Sequence, residues 1–121
     1  MAYTPDGTEL LVGAPLRAAV LRFGADSLAF KRTISTVFGV RTLAVDPKRN
    51  LLVSASLATN MLDVIDLSTR KRAATYYVGP WLRSISLDTG NGRAYISSTE
   101  GLYAVDYLSR LPSIMRLGRR N

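Results

Sequence analysis

The chain has no cysteine and no histidine. The first absence excludes disulfides and thiolate chemistry and leaves the redox compartment open, since either environment tolerates such a chain. The second removes the commonest general base and the commonest metal ligand together, and with them a Ser-His-Asp hydrolytic triad. No apolar run reaches the roughly 18 residues of a membrane-spanning helix. The opening MAYTPDG has neither a basic region nor an apolar stretch, so no signal peptide is visible. There is no Gly-x-Ser-x-Gly, no phosphate-cradling glycine loop and no dinucleotide fingerprint. Helical periodicity is also missing. The best stretch for it, residues 15–23, is set among β-branched and aromatic neighbours that argue against a helix.

Acidic residues are few. Nine Asp and Glu stand against sixteen Lys and Arg, for a net charge of +7. The carboxylates are scattered and suggest no metal cluster, and no cofactor is expected. The tight basic groups are Lys31-Arg32, Lys48-Arg49, Arg70-Lys71-Arg72 and Arg119-Arg120, each in or beside a turn signal or at the C-terminus. Such a balance permits nucleic acid, anionic lipid or acidic proteins as partners. The bland reading is solvated loop charge. No basic stretch interleaves with stacking aromatics, which argues against nucleic acid.

What is present is a repeat. At 121 residues and 47% apolar content the chain is long and apolar enough for one globular unit. VRTLAVDPKRNLLVSAS opens at Val40, LRSISLDTGNGRAYISS at Leu82, and MAYTPDGTELLVG reads as a third copy. Asp46 and Asp88 are 42 residues apart, as are Pro5 and Pro47, while Asp66 and Asp106 are 40 apart. Gly39, Gly79 and Gly118 read as the closing glycines of the three copies, spaced 40 and 39 apart. A period of this size marks stacked supersecondary units.

Each copy divides into four short apolar segments. In copy two they are 42–46, 51–55, 62–67 and 73–78, separated by Pro47-Lys48-Arg49-Asn50, by 57–60 and by 68–71. Copy three runs 83–88, 93–97, 102–107 and 113–117; copy one runs 2–4, 9–12, 19–23 and 31–38. Short strands with frequent turn signals predict an all-β chain. Four antiparallel strands per unit of about forty residues is a β-propeller blade. The copies thus predict three four-stranded antiparallel blades at approximately 1–39, 40–79 and 80–121.

The motifs resemble those of the YVTN-type β-propeller repeats, which group with NHL-like bacterial propellers. The residues that carry the resemblance are Thr4-Pro5-Asp6-Gly7-Thr8, Asp88-Thr89-Gly90-Asn91-Gly92-Arg93-Ala94-Tyr95-Ile96, Asp63-Val64-Ile65-Asp66 and Tyr77-Val78-Gly79. Copy one departs from the pattern with Val20-Leu21-Arg22-Phe23, and copy two with Asp46-Pro47-Lys48. The resemblance implies a propeller repeat module, slightly favours a periplasmic or extracellular setting, and says almost nothing about activity. It also allows a fragment of an extracytoplasmic propeller enzyme, lactonase-like or a dehydrogenase subunit, whose chemistry lies elsewhere.

Three blades do not close a ring, and an open stack bares two sheet faces. Two chains would give six blades, so self-association into a homodimer is the expected closure. A stable open stack, a single β-sandwich or a segment completed by a different chain are the alternatives. The expected role is a non-catalytic binding scaffold, with protein or a small anionic ligand as the possible further partner.

Asp46, Asp66, Asp88 and Asp106 end strands ahead of turns, where a carboxylate caps turn amides. Arg41 and Arg83 occupy the same place in two copies, just ahead of the innermost strand. Around a ring they would gather at one mouth, where guanidinium forks suit carboxylate or phosphate. The alternative for them is pairing with a strand-end carboxylate or facing solvent. Trp81 follows Gly79-Pro80 between copies two and three. It reads either as packing between blades or as an exposed binding anchor. Arg41, Arg83 and Trp81 are therefore the candidate anion-binding residues.

Overall fold

The computed structural model describes residues 1–14, 18–36, 39–56, 60–108 and, as backbone, 114–119. These residues form twelve strands and no helix. The first four are β1 (Ala2–Tyr3), β2 (Glu9–Ala14), β3 (Ala19–Gly24) and β4 (Phe30–Ser35). The next four are β5 (Val40–Asp46), β6 (Leu51–Ser56), β7 (Met61–Asp66) and β8 (Lys71–Tyr77). The last are β9 (Leu82–Asp88), β10 (Arg93–Ser98), β11 (Gly101–Asp106) and β12 (Ile114–Arg119). They make three sheets in simple up-and-down order, β1 to β4, β5 to β8 and β9 to β12. All neighbours pair antiparallel. The candidate helix at 15–23 is strand from Ala19 onward; its residues 15–17, the connection at 57–59 and the 37–38 end of the first copy lie outside the described residues.

Local chemistry explains the turns. Asp66 Oδ1 accepts from the amides of Ser68 at 2.8 Å and Thr69 at 3.4 Å. Asp46 does the same for Lys48 and Arg49, and Asp106 for Leu108. Asp88 takes the Asn91 amide and side chain. Asp6 takes the Thr8 amide and the hydroxyls of Thr4 and Thr8. These are Asx caps, the structural role expected for strand-end aspartates. Their hydrogen bonds hold the Asp6 carboxyl below its ordinary range, the Thr8 amide first; for Asp88 the Asn91 side chain leads.

The repeat is written in the backbone as well. Positive φ recurs in pairs 42 residues apart: Ala18 with Asn60, Leu28 with Arg70, Gly39 with Trp81, and Asn50 with Gly92. This corrects the glycine alignment. The conformational mate of Gly39 is Trp81, not Gly79, and Gly118 lies inside β12 opposite Leu102 rather than closing the copy.

The sheets pack face to face around two cores. Leu11, Val20 and Ile34 of the first sheet meet Val40, Leu43, Leu52, Ile65 and Leu67 of the second. The other face of the second sheet supplies Val53, Ala55, Leu62, Val64, Tyr76 and Val78 against Leu82, Ala94, Ile96, Tyr103, Val105 and Tyr107. The middle sheet is covered on both sides, which is why LLVSAS in β6 is buried from Leu52 to Ser56 without alternation. Fully burying a Leu, Ile or Val side chain stabilises by roughly 1.5–3 kcal/mol. The inter-sheet contact is therefore what holds the stack together.

The two outer faces are uncovered. On the first sheet one apolar row crosses all four strands, Tyr3 opposite Leu10, Leu10 opposite Phe23, Phe23 opposite Phe30. Tyr3 is 62% and Phe30 57% exposed, and the two phenyl rings stack edge to face. The corresponding outer face of the third sheet carries Ser84, Ser86, Tyr95, Ser97 and Leu102. Here the hydroxyls of Ser84 and Ser97 bond each other at 2.6 Å.

Candidate functional site

At one end of the stack, β5 and β9 begin as the innermost strands of their sheets. In β5, Val40 pairs with Ser56 and Thr42 with Ala55, so Arg41 is an extra residue. In β9, Leu82 pairs with Ser98 and Ser84 with Ser97, so Arg83 is extra in the same place. A bulge takes a residue out of the in-and-out alternation and re-aims its side chain. Both arginines are exposed. The repeat that put them 42 residues apart has thus put both in matching bulges at one end of adjacent sheets. Among the described residues neither forms an ion pair with a carboxylate, unlike Arg49 and Arg22 below.

Trp81 sits at the same end, directly ahead of β9. It is 57% exposed, so it does not fill the junction between the second and third sheets. The packing there comes instead from Tyr76, Tyr103 and Tyr107. Its φ is +54°, a left-handed conformation that costs a residue with a Cβ roughly 1–2 kcal/mol. Gly39 takes the same place between the first and second sheets at φ +85°, where no Cβ resists it. The connection leading to Trp81 is firmly held. Asn60 O accepts from the amides of Val78 at 2.9 Å and Gly79 at 3.4 Å, and Gly79 lies over Tyr103 so closely that a methyl group there would be 2.6 Å from the tyrosine oxygen.

The opposite end is built differently. Asp46, wholly buried, accepts the Tyr107 hydroxyl at 2.7 Å and an Arg49 N–H at 2.8 Å. Arg49 also donates to Thr89 O at 2.6 Å. This network ties the second sheet to the third. Burial works to raise the Asp46 pKa, but the bonds from Tyr107 and Arg49 outweigh it and hold the carboxyl below its ordinary range. Burial, then the bond to the carboxylate, drive the Tyr107 phenol far above its own.

Leu67 stands at the place of Tyr107 in the first junction, and Thr4 at that of Asp46. Among the described residues no such link forms there. A cleft of about 180 Å³ remains, lined by Thr4, Asp6, Glu9, Arg22, Asn50 and Leu67 among others. In it Arg22 grips Glu9 with two bonds, 2.9 and 2.7 Å. Sequence reasoning did not find this pair or the Asp46–Tyr107 link. The partners are 13 and 61 residues apart, and neither pair recurs at the repeat period.

No family model matches the chain, and no curated protein matches it in sequence. Solved structures do match in fold. A chain of hydrazine synthase from Kuenenia stuttgartiensis superposes with a TM-score of 0.84 at 16% identity, over 97% of this chain and 35% of that one. The Cps50 (Swd1) β-propeller domain of Myceliophteria thermophila gives 0.80 at 15% identity, over 96% and 37%. The WD40 repeats of RRP9 give 0.79 at 11% identity, over 95% and 37%. At these identities the likeness is one of fold: the three sheets are stacked β-propeller blades. This chain spans little more than a third of each of these three chains.

Proposed function

We propose that this chain is a non-catalytic propeller module that closes its ring with a second copy of itself and serves as a binding scaffold. One observation carries the reading: the uncovered row Tyr3, Leu10, Phe23 and Phe30 on the first blade. Interior blade faces are covered by the next blade, and an apolar face of this kind calls for the same cover. Two chains supply six blades, within the range of propellers, and a two-fold pair is the commonest closed assembly. The motif resemblance to YVTN-type repeats belongs to this reading, with its slight preference for a periplasmic or extracellular setting. Light scattering on the purified chain tests it. A discrete species of twice the chain mass is expected; a monodisperse monomer at high micromolar concentration overturns it.

A second reading is favoured by the short span of this chain on its structural neighbours, 35–37% of their length. In it the chain is a fragment of an extracytoplasmic propeller enzyme, lactonase-like or a dehydrogenase subunit, whose chemistry lies elsewhere in the longer protein. Soluble aggregation of the isolated chain, with no discrete dimer, supports this reading over the first.

The end of the stack that carries Arg41, Arg83 and Trp81 is the proposed ligand face, and its ligand is anionic. The matching bulges support this, since they turn two guanidinium groups out at the same end of neighbouring blades. Replacing both arginines by alanine and measuring anion binding by calorimetry tests it; unchanged binding overturns it.

A further inference from the structure

We infer that Trp81 is the apolar anchor of a site for an extended acidic peptide, with Arg83 and Arg41 taking its carboxylates. The inference rests on the reading of this end as an anion site and goes further by naming the ligand class and the residue that discriminates.

The argument starts from a comparison internal to the chain. The connections between successive blades each need a left-handed residue, and Gly39 meets that need without strain at φ +85°. At the matching position Trp81 adopts φ +54°. A large β-substituted side chain is the poorest choice for that backbone. Burial could compensate, but Trp81 is 57% exposed. Leu28 also holds a positive φ at an exposed site, in a turn within the first blade; at Trp81 the strain coincides with the two arginine bulges, and that combination points to use of the side chain itself.

The surroundings say what that use is. The connection runs from Tyr77, at the end of the outermost strand β8, to Trp81, at the start of the innermost strand β9. Both aromatics are exposed, Tyr77 by 62%. The backbone between them is pinned by Asn60 and Tyr103, so the indole is presented from a rigid base and loses little freedom on binding. Arg83 follows two residues later in its bulge, and Arg41 occupies the same bulge one blade away. Two exposed aromatics along this connection and two exposed arginines in matching bulges at the same end suit a short extended segment. Its apolar side chain lies on the indole and its carboxylates meet the guanidinium forks. A single strand of nucleic acid is the lesser fit, because it needs stacking platforms repeated along a basic groove.

The chain has one tryptophan, so its fluorescence reports on this position alone. The probes are two fluorescein-labelled hexapeptides, Glu-Glu-Phe-Glu-Glu-Glu and the same peptide with glycine in place of phenylalanine. Anisotropy gives their affinities, and unlabelled peptide is used for the tryptophan emission. The phenylalanine peptide is expected to shift Trp81 emission and to bind about ten-fold tighter than the glycine peptide. Trp81→Gly is expected to erase that ten-fold difference, to leave the weaker binding shared by both peptides, and to melt no lower than the wild type. Trp81→Phe is expected to keep most of the discrimination. Equal binding of the two peptides by the wild type overturns the inference while leaving the arginine site standing, provided Arg41→Ala with Arg83→Ala abolishes that binding. Absence of binding by either peptide overturns the anion reading as well. Tighter binding of oligothymidylate than of either peptide, or a lower melting temperature for Trp81→Gly with discrimination intact, also overturns it.

Discussion

One hydroxyl and one carboxylate, from residues 61 apart, join the second blade to the third. The Tyr107–Asp46 bond is buried and involves a charged acceptor, so removing its donor costs roughly 1.5–3 kcal/mol. Tyr107→Phe is expected to lower stability by that amount at neutral pH, measured by urea unfolding. The pH profile follows from the directions of the shifts. The phenol is raised above its unfolded value near 10, so its stabilising contribution is complete below about pH 10 and is lost as pH climbs toward the folded value. Stability of the wild type should fall more steeply as pH rises above about 10 than that of Tyr107→Phe. Asp46 is lowered, so its contribution is present above about pH 4 and is lost as pH falls through the folded value. Asp46→Asn should therefore flatten the acid limb. None of this was legible in the chain. Asp46 announced itself as a turn residue, and nothing in the repeat distinguishes Tyr107 from Leu67 at the matching place.

At the scale of the strand and its turn, legibility was high. Aspartate at a strand end followed by a hydrophilic turn is a local signal with a local cause, and each such aspartate caps its own turn amides. Strand ends moved by one to three residues; the larger surprise lay in the connections. Gly79 reads as a flexible terminator, yet its φ is not positive and its role is steric, since Tyr103 packs against its bare Cα. Gly79→Ala should cost roughly 1–3 kcal/mol by thermal unfolding, because the ring is buried and cannot move aside. Tyr103→Leu in the same chain should recover part of that loss, which a purely backbone role for Gly79 would not allow. At position 81 the opposite holds. Glycine there relieves left-handed strain, and Trp81→Gly should gain about 1 kcal/mol. The arginine bulges are also decided at this scale: a period shows that Arg41 and Arg83 correspond, while only the pairing of β5 with β6 and β9 with β10 shows that each is the extra residue.

At the scale of the whole molecule, the three blades form a stack with two unlike outer faces. The first blade offers an apolar row, and the third a face richer in hydroxyls, with Ser84 and Ser97 already bonded to each other. If a second copy covers the first face, a charge at its exposed margin should block association without disturbing the blade. Phe30 is 57% exposed, so Phe30→Glu should change unfolding of the separate chain by no more than about 0.5 kcal/mol. It should also reduce the mass seen by light scattering to that of one chain. An unchanged dimer mass would place the contact elsewhere.

The linear order of residues already contained the number of blades, the run of the strands and the chemistry of the turns. Each of these depends on interactions within a few residues, or on a periodicity that needs no partner to be seen. What folding added was the meeting of distant groups: Tyr107 with Asp46, Arg22 with Glu9, and the backbone equivalence of Trp81 with Gly39. Those depend on how one sheet lies against the next and on φ angles that packing imposes. The repeat pattern does not announce them, because the same repeat position carries tyrosine in one blade and leucine in another.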